Sequence, residues 1–318
     1  MKIVALDAYG LNPGDLSWDL LNGLGELTVY DRTPPPAVRS RAAGADALLV
    51  DHLEFSSELF DTLPDLRYIG LFSTGYDRID LEAARRNRVA VTNVPDYSTP
   101  SVAQMTFALL LSLTNRTREY AALVRRDEWI AGRNFHYLDA PLVELSGKTM
   151  AVLGLGAIGT AVARIARAFG MHIISWNRRS KSVPGLDVEW LSLDELFRRA
   201  DVVTLHLPLN DETTGIVNEH TISLMKREAL LINTSRGGLV DDSALADALN
   251  SGRLAGAGLD VVGTFDPPAA DNPLLNAENC LITPHISWAS QDARLRCLNE
   301  AYENLRSFLA GGGRNRVA

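Results

Sequence analysis

One short stretch, TMAVLGLGAIGTAVARIARAFG at residues 149–170, limits the possible folds more than any other part of the chain. An apolar run typical of a β-strand leads into Gly154, Gly156 and Gly159, and a segment with an apolar face at helical spacing follows. In a dinucleotide-binding fold, the first glycine permits a tight turn, the second lets the backbone approach a pyrophosphate, and the third lets the helix pack on the strand. The alternative is an ordinary strand-to-helix turn. The context favours a cofactor loop, with Ala157 and Ile158 opening the helix beneath the phosphates.

The rest of the chain alternates short strand-like runs with helical stretches. Its 318 residues exceed the usual size of a single core and 46% of them are apolar, so we expect two domains with an α/β fold on parallel sheets. Strand-like runs lie at residues 2–7, 27–31, 47–50, 68–72, 89–94, 150–153, 173–176, 202–205, 229–232, 255–259 and 281–282. We also expect a long helix over residues 101–124 and a final helix over about residues 291–310, ended by Gly311. The apolar face of that final helix would consist of Leu295, Leu298, Tyr302, Leu305 and Leu309.

Charge and composition favour a small-molecule ligand. The net charge of −8 disfavours binding to nucleic acid or to an anionic membrane, which requires clustered Lys and Arg. The sequence contains no apolar run long enough to cross a membrane, and its N-terminal residues do not resemble a targeting signal, so we expect a cytoplasmic protein. Cys280 and Cys297 give neither a disulfide framework nor a metal-ligand cluster, and we expect no metal site.

The end of the second strand in the glycine-rich half carries bases where an NAD-binding domain usually has an acid. That acid is expected about 20 residues after the first glycine, and the chain has Asn177, Arg178, Arg179 and Ser180 in this region. A carboxylate would repel a ribose 2′-phosphate, whereas Asn is neutral and Arg forms paired, charge-assisted bonds to phosphate oxygens. We therefore predict a preference for NADP(H). The alternative is a solvated basic loop, which leaves NAD(H) possible.

Three later stretches carry residues suited to chemistry. They are INTSRGGLVDDSALADAL with Arg236, AGAGLDVVGTFDPPAADNPLL with Asp260 and Asp266, and ITPHISWAS with His285. A lone Arg or His is more often structural. Here, however, each stretch follows or contains a strand-like run, and open α/β sheets bind ligands at the ends of their strands.

With STGYDRIDLEAA, VTNVPDYSTPSVAQMTFALLL and GKTMAVLGLGAIG, these stretches make the chain resemble the D-isomer-specific 2-hydroxyacid dehydrogenases over essentially its whole length. Within that family it resembles the glycerate dehydrogenase and hydroxypyruvate/glyoxylate reductase group. The resemblance implies two Rossmann-like, doubly wound parallel-sheet domains. A substrate domain would comprise residues 1–98 plus 286–318, built from both chain ends, and a dinucleotide-binding domain residues 99–285. It also implies a substrate cleft and a homodimer, in which residues 101–141 make much of the contact.

The resemblance also assigns the reacting groups. Arg236 matches the arginine that binds the substrate's carboxylate and carbonyl, and His285 matches the acid that protonates the carbonyl oxygen as hydride arrives. In the family, a Glu just before a Pro stabilises the imidazolium. This chain departs from that pattern, because its pre-proline acid is Asp266 and the segment from Asp260 is one residue longer. Asp266 is thus either a shorter partner of His285 or a turn-initiating residue.

Further site residues follow from the same resemblance. Ser73, Thr74 and Gly75 match the loop whose backbone N–H groups hold the substrate carboxylate. Asp260 matches the residue that contacts the nicotinamide amide or its ribose, and an aromatic residue within 134–139 would enter the partner's cleft. Trp288 either walls the substrate pocket or packs at the domain hinge. The matching cofactor-lining positions are Leu207, Pro208, Thr213, Thr234 and Ser235, together with Arg236 and His285.

The sequence therefore predicts an oxidoreductase that transfers a hydride from NADPH to a small 2-keto acid of the hydroxypyruvate or glyoxylate type, giving the D-2-hydroxy acid. An NAD-linked, D-lactate-like dehydrogenase is the first alternative, and the Arg178–Arg179 pair disfavours it. A dinucleotide-sensing corepressor or scaffold is the second, because one fold serves many functions.

Overall fold

The structure, a computed structural model, describes residues 1–126, 128–132, 141–176, 183–263 and 267–318. Its strands are β1 (Lys2–Leu6), β2 (Glu26–Val29), β3 (Ala47–Val50), β4 (Tyr68–Leu71), β5 (Ala90–Thr92), β6 (Thr149–Leu153), β7 (His172–Trp176), β8 (Glu189–Trp190), β9 (Val202–Leu205), β10 (Leu230–Asn233), β11 (Gly256–Leu259) and β12 (Cys280–Ile282). Its helices are α1 (Asp19–Asn22), α2 (Pro35–Ala42), α3 (Ser57–Phe60), α4 (Leu81–Arg86), α5 (Thr99–Asn115), α6 (Thr117–Arg125), α7 (Glu128–Gly132), α8 (Ala157–Ala168), α9 (Leu193–Arg199), α10 (Glu219–Leu224), α11 (Asp242–Asn250) and α12 (Gln291–Leu309). Short 3₁₀ turns lie at Gly237–Leu239 and Pro273–Asn276.

The chain divides into two compact units, Met1–Ser98 with Trp288–Ala318 and Thr99–Ser287. The first unit contains a five-stranded sheet of order β2-β1-β3-β4-β5, and the second a seven-stranded sheet of order β12-β11-β10-β9-β6-β7-β8. The strands pair in parallel throughout both sheets. The predicted fold class, two doubly wound parallel-sheet domains with one built from both chain ends, is confirmed.

The first unit's central strands are short apolar runs because helices cover the sheet. Every residue of β3 and β4 is buried. Helix α12 packs beside β4, and the rings of Tyr68 and Phe308 lie 4.9 Å apart between their centroids. Because β1, β3 and β4 run in parallel, the loops that follow them emerge at one edge of this sheet. The first residues of these loops are Asp7, Asp51 and Phe72.

The second unit brings five chain segments to the carboxyl edge of its sheet. Neighbouring strands β12, β11, β10, β9 and β6 all run in parallel, so the segments that follow them lie side by side. The strand order reverses at β6, which has β7 on one side and β9 on the other. Open α/β sheets bind ligands outside the carboxyl ends of the strands at such a reversal. This edge carries the glycine-rich turn, and it is the natural location for a cofactor.

The single long helix predicted over residues 101–124 is wrong, because the structure has two helices there. Helix α5 ends at Asn115, and Arg116 adopts a left-handed conformation with φ of 49° before α6 begins. A left-handed residue after the last helical turn is a common helix stop. The two helices also differ in packing. Helix α5 buries a row of residues in the second unit, whereas α6 has no buried residue.

The final helix has the predicted bounds within one residue, but not the predicted face. Leu298 and Leu305 are buried as expected, whereas Leu295 and Leu309 are each 44% exposed. Small residues, among them Ala293, Cys297 and Ala301, complete the buried face instead, which lets α12 lie close to its sheet. Within the described ranges, we find no helix that has both the length and the apolar character to cross a membrane.

Candidate active site

The glycine-rich turn joins β6 to α8 at the point where the strand order reverses. Gly154 has φ of +93°, and a Cβ there would lie 2.5 Å from the carbonyl oxygen of His206, so only glycine fits. A Cβ on Gly159 would overlap with the carbonyl oxygen of Gly154. Around Gly156, by contrast, a Cβ would have no neighbour within 4 Å among the described residues. The turn is therefore closed on its protein side and open in front of Gly156.

The open side of the turn suits a dinucleotide phosphate. Helix α8 begins at Ala157, immediately after Gly156, and Ile158 lies in its first turn. The first N–H groups of a helix have no partner within the helix, and the helix dipole favours an anion there. The chain thus offers backbone donors and space for a pyrophosphate at the same place. Asn177, Arg178, Arg179 and Ser180, which follow β7, lie outside the described residues.

His206, which sequence reasoning missed, lies beside this turn at the end of β9. Its Nε2 is 2.9 Å from the hydroxyl oxygen of Thr204, and its Nδ1 is buried with no hydrogen-bond partner in the part of the chain that the structure describes. Burial lowers the pKa of His206 to about 3. The ring is therefore a neutral imidazole near neutral pH. Its position directly after a buried strand was the signal that could have identified it.

The predicted cofactor-lining hydroxyls make contacts within the protein. Thr213 Oγ1 donates to the Pro208 carbonyl oxygen over 2.6 Å, and Ser235 Oγ donates to the Leu205 carbonyl oxygen over 2.7 Å. The buried hydroxyls of Thr234 and Thr106 lie 3.1 Å apart. These bonds shape the loops that follow β9 and β10. The bonds fix the orientation of these hydroxyls, and the predicted contacts of these residues and of Leu207 with a cofactor stay predictions.

Arg236 follows β10, and its loop is held by a fully buried residue that sequence reasoning missed. Asn233 Nδ2 donates to the Arg236 carbonyl oxygen over 2.8 Å, while Asn233 Oδ1 accepts from the Ser235 N–H over 3.0 Å. Arg236 Nη1 also donates to the Ser235 carbonyl oxygen over 3.0 Å. Asn233 therefore bonds to the backbone on both sides of the loop and fixes the position from which the guanidinium extends.

His285 lies in a loop that is organised around Asp260. The carboxylate of Asp260, which is 1% exposed, accepts from the Thr283 hydroxyl over 2.5 Å and from the N–H groups of Ile286 and Ser287 over 2.9 Å and 2.8 Å. The His285 N–H donates to the Asp260 carbonyl oxygen over 2.9 Å. These bonds surround His285, which has a left-handed φ of 53°. Asp260 thus holds the imidazole-bearing loop, and the predicted contact with the nicotinamide stays a prediction.

Arg236, Asp260 and His285 follow three neighbouring strands, β10, β11 and β12, at one sheet edge. Their assignment to one catalytic constellation stays a prediction. Asp266, the predicted partner of His285, lies outside the described residues, as do residues 134–139, which were expected to supply an aromatic to a partner subunit.

In the first unit, Ser73, Thr74 and Gly75 form a fixed loop after β4. Ser73 Oγ donates to the Gly75 carbonyl oxygen over 2.7 Å, and Thr74 Oγ1 donates to the Val94 carbonyl oxygen over 2.8 Å. Asn93 Nδ2 donates to the Thr74 carbonyl oxygen over 2.8 Å, and the Val94 N–H to that of Ser73 over 2.9 Å. The loop's carbonyl oxygens are thus bonded within the protein, which sets its conformation in advance of any ligand.

Trp288 lies at the same edge of the first unit's sheet. Its ring centroid is 6.5 Å from that of His52 and 6.4 Å from that of Tyr97. A Cβ on Gly10 would lie 3.7 Å from its Cη2. Trp288 is therefore part of an aromatic wall within this unit. Both predicted roles, a wall of the substrate pocket and a packing residue at the domain hinge, stay predictions.

The chain is similar to known proteins over both units. A family model described as D-isomer specific 2-hydroxyacid dehydrogenase, NAD binding domain, matches residues 107–287. A hydroxypyruvate reductase of Blautia hydrogenotrophica is 42% identical, over 100% of this chain and 99% of the relative, and a glyoxylate reductase of Aeropyrum pernix is 39% identical, over 92% and 89%. A solved acyclic imino acid reductase, Bsp5, in complex with NADPH and D-Arg, has a TM-score of 0.85 and 31% identity, with 100% of both chains covered.

Proposed function

Because the chain belongs to the D-isomer specific 2-hydroxyacid dehydrogenase family, we propose that it reduces a small 2-keto acid, of the hydroxypyruvate or glyoxylate type, to the D-2-hydroxy acid with NADPH. One observation carries the proposal. Arg236 and His285, each fixed by a buried side chain, follow β10 and β12 at the sheet edge that also carries the open glycine-rich turn. This shared edge supports the assignment of Arg236 as the carboxylate-binding cation and of His285 as the proton donor.

Each group has a defined task in this reaction. The planar guanidinium of Arg236 binds the carboxylate and polarises the 2-keto oxygen. A lysine could not form the two parallel hydrogen bonds that this contact requires. The imidazolium of His285 donates its proton to that oxygen as the carbonyl carbon becomes tetrahedral. The nicotinamide, when bound, supplies the hydride. The turn at Gly154–Gly159 would hold the pyrophosphate, and Leu207 would line the cofactor site.

The remaining assignments extend the proposal. The Ser73–Gly75 loop would hold the substrate carboxylate with backbone N–H groups, for which its fixed conformation is suited. Asp266, whose carboxylate is one methylene shorter than that of Glu, would stabilise the imidazolium of His285. Replacing Asp266 with Glu should then raise kcat for hydroxypyruvate.

For the cofactor, we propose that NADPH is preferred over NADH. The support is the absence of an acid among residues 177–181 of the sequence, which read NRRSK, and the capacity of two arginines to bind a 2′-phosphate. The imino acid reductase with the same fold was solved with NADPH. The test is the ratio of kcat/KM values for NADPH and NADH at saturating hydroxypyruvate. A double Arg178→Ala, Arg179→Ala variant should lower kcat/KM for NADPH and leave that for NADH within about twofold.

The catalytic assignment is tested with His285→Ala. We expect turnover of hydroxypyruvate to fall by at least about a thousandfold, because the proton donor is removed, while NADPH binds with nearly unchanged affinity. His220→Ala is the matched control, since His220 is exposed on α10 and pairs only distantly with Asp194, at 3.4 Å. Undiminished turnover in His285→Ala would show that another group donates the proton. A wild-type protein that binds NADPH but reduces no 2-keto acid would favour the corepressor alternative.

We also propose that the protein is a homodimer. Helix α6 buries none of its residues within the chain, and Val124, Trp129 and Ile130 are 46%, 44% and 69% exposed. Large apolar side chains grouped on a surface mark an interaction site. A second copy, related by twofold symmetry, would cover them. Ile130→Asp should convert the dimer, measured by sedimentation velocity, to a monomer, and a wild-type monomer at all concentrations would refute this assignment.

A further inference from the structure

The Ser73–Gly75 loop, proposed above to hold the substrate carboxylate, takes its orientation from the segment that follows β5. Asn93 Nδ2 donates to the Thr74 carbonyl oxygen over 2.8 Å, and the Val94 N–H donates to that of Ser73 over 2.9 Å. In a trans peptide, the carbonyl group and the N–H group that follows it point in opposite directions. Asn93 therefore sets the direction of the Gly75 N–H, and Val94 sets that of the Thr74 N–H.

Asn93 is itself held by helix α12. Asn304, on this helix, donates from Nδ2 to the Asn93 carbonyl oxygen over 2.9 Å. Asn304 is 1% exposed, so water competes little for its amide. A buried polar group that loses its partner is costly, because no solvent molecule replaces the lost bond. Asn304 thus connects the buried face of α12 to the segment that orients the loop.

The other end of the Asn304 amide bonds to the segment after α12, residues 312–318. Asn304 Oδ1 accepts from Asn315 Nδ2 over 2.9 Å, and the same Nδ2 donates to Glu300 Oε1 over 2.6 Å. The Asn315 carbonyl oxygen accepts from the Asn93 N–H over 3.2 Å. Asn93, Asn304 and Asn315 therefore form a closed ring of three hydrogen bonds, the asparagine triad.

Further bonds keep the segment after α12 in place. Arg314 Nε and Nη2 donate to the two carboxylate oxygens of Glu300 over 2.7 Å and 2.9 Å, and this contact holds the pKa of Glu300 below its usual range. The Val317 N–H donates to the carbonyl oxygen of Val91, on β5, over 2.8 Å. Asn315 has a left-handed φ of 50°, a conformation that asparagine adopts more readily than most residues. The segment therefore lies along β5 with Asn315 fixed between β5 and α12.

We infer that Asn304 and Asn315 are positioning residues for the substrate carboxylate, which rests on the proposed function. Their action is indirect. Through Asn93 they fix the direction of the Thr74–Gly75 peptide, so that the Gly75 N–H is oriented before a 2-keto acid binds. A loop that is already ordered loses less conformational freedom on binding, and the affinity for the ligand is higher. The asparagine triad therefore lowers KM for the 2-keto acid, while proton and hydride transfer depend on groups of the second unit.

The test measures KM and kcat for hydroxypyruvate at saturating NADPH. We expect KM to rise by about fivefold or more in Asn304→Ala, with kcat within about twofold, because the loss of a buried hydrogen bond has an effect of this order. Asn315→Ala should also raise KM. The double variant should show less than the product of the two single effects, since both act through one ring of bonds. Asn299→Ala, which changes an exposed asparagine of the same helix, is the matched control and should keep the wild-type KM.

Amide hydrogen exchange gives a readout that does not require turnover. Peptides covering residues 72–78 should exchange faster in Asn304→Ala than in the wild type, whereas peptides covering α8, in the second unit, should exchange at the wild-type rate. Unchanged exchange at residues 72–78 would overturn the inference.

The kinetic outcomes separate this inference from the proposed function. An unchanged KM in Asn304→Ala overturns the inference, and so does a fall in kcat with an unchanged KM, which would show a purely structural role. A wild type that reduces neither glyoxylate nor hydroxypyruvate refutes the proposed function itself. An active wild type together with an Asn304→Ala variant of wild-type KM refutes the role of the asparagine triad alone.

Discussion

Replacing Gly159 with alanine tests how closely α8 packs on the turn after β6. The new Cβ would overlap with the Gly154 carbonyl oxygen and would lie 3.1 Å from its carbonyl carbon and 3.3 Å from Val152 Cγ1. Neither neighbour can move easily, because one is backbone in a positive-φ turn and the other is a fully buried strand residue. Overpacking of this kind costs about 1–3 kcal/mol. We therefore expect the melting temperature to fall by several degrees.

Replacing Gly156 with alanine should weaken dinucleotide binding and leave the stability of the protein nearly unchanged. Its φ of −74° and ψ of −161° are accessible to alanine, and the new Cβ would meet no described atom within 4 Å. Stability should change by less than about 0.5 kcal/mol. The methyl group would, however, occupy the space through which the backbone approaches the pyrophosphate. The Kd for the dinucleotide should therefore rise by about tenfold or more.

The two variants are compared by thermal unfolding and by fluorescence titration with NADPH. The expected pattern is a stability loss confined to Gly159→Ala, and an affinity loss in Gly156→Ala without a stability loss. Wild-type affinity in Gly156→Ala would show that the phosphates bind elsewhere. Wild-type stability in Gly159→Ala would contradict the described packing of α8.

Three further predictions follow from the buried polar groups. Asp260→Asn replaces one carboxylate oxygen by an amide nitrogen, so one of the donors of Thr283, Ile286 and Ser287 loses its acceptor. We expect kcat to fall by about tenfold or more, with a smaller change in the Kd for NADPH. An equal change in both would favour a direct contact with the cofactor. Asn233→Ala should raise KM for the 2-keto acid, because it frees the Arg236 loop, and steady-state kinetics with an unchanged KM would contradict this. The pKa of His206 is about 3 in the folded chain, below the unfolded value near 6.5. The free energy of unfolding should therefore be highest above pH 6.5 and should decrease as the pH falls toward 3, by at most about 1.4 kcal/mol per pH unit. Urea unfolding at pH 7 and pH 5 should show a smaller decrease for His206→Gln than for the wild type.

Much of the fold could be predicted from local sequence patterns. The run at residues 47–50 became β3 without change, and the run at 202–205 became β9, because buried parallel strands are short and continuously apolar. Strand β8, at Glu189–Trp190, was not predicted, since two residues at the sheet edge carry no periodicity. The break at Arg116 and the buried face of α12 were also missed, because both depend on what packs against the helix.

The positions of Arg236 and His285 after strand-like runs could be predicted from the sequence, but the residues that hold their loops could not. Arg236 and His285 follow strand-like runs, and that placement is visible in the sequence. The bonds that fix them join residues far apart or of ordinary type, such as Asp260 with Ser287, 27 positions away. Asn233 carries no motif. Its role depends on strand order, which short-range patterns do not encode.

The most direct test of the central proposal is the reduction of hydroxypyruvate by the purified wild-type protein, followed by chiral analysis of the glycerate formed. We predict turnover with NADPH faster than with NADH, and the D-enantiomer as the product. Formation of the L-enantiomer, or no turnover with either dinucleotide under conditions where both bind, would contradict the assignment of Arg236 and His285 to 2-keto acid reduction.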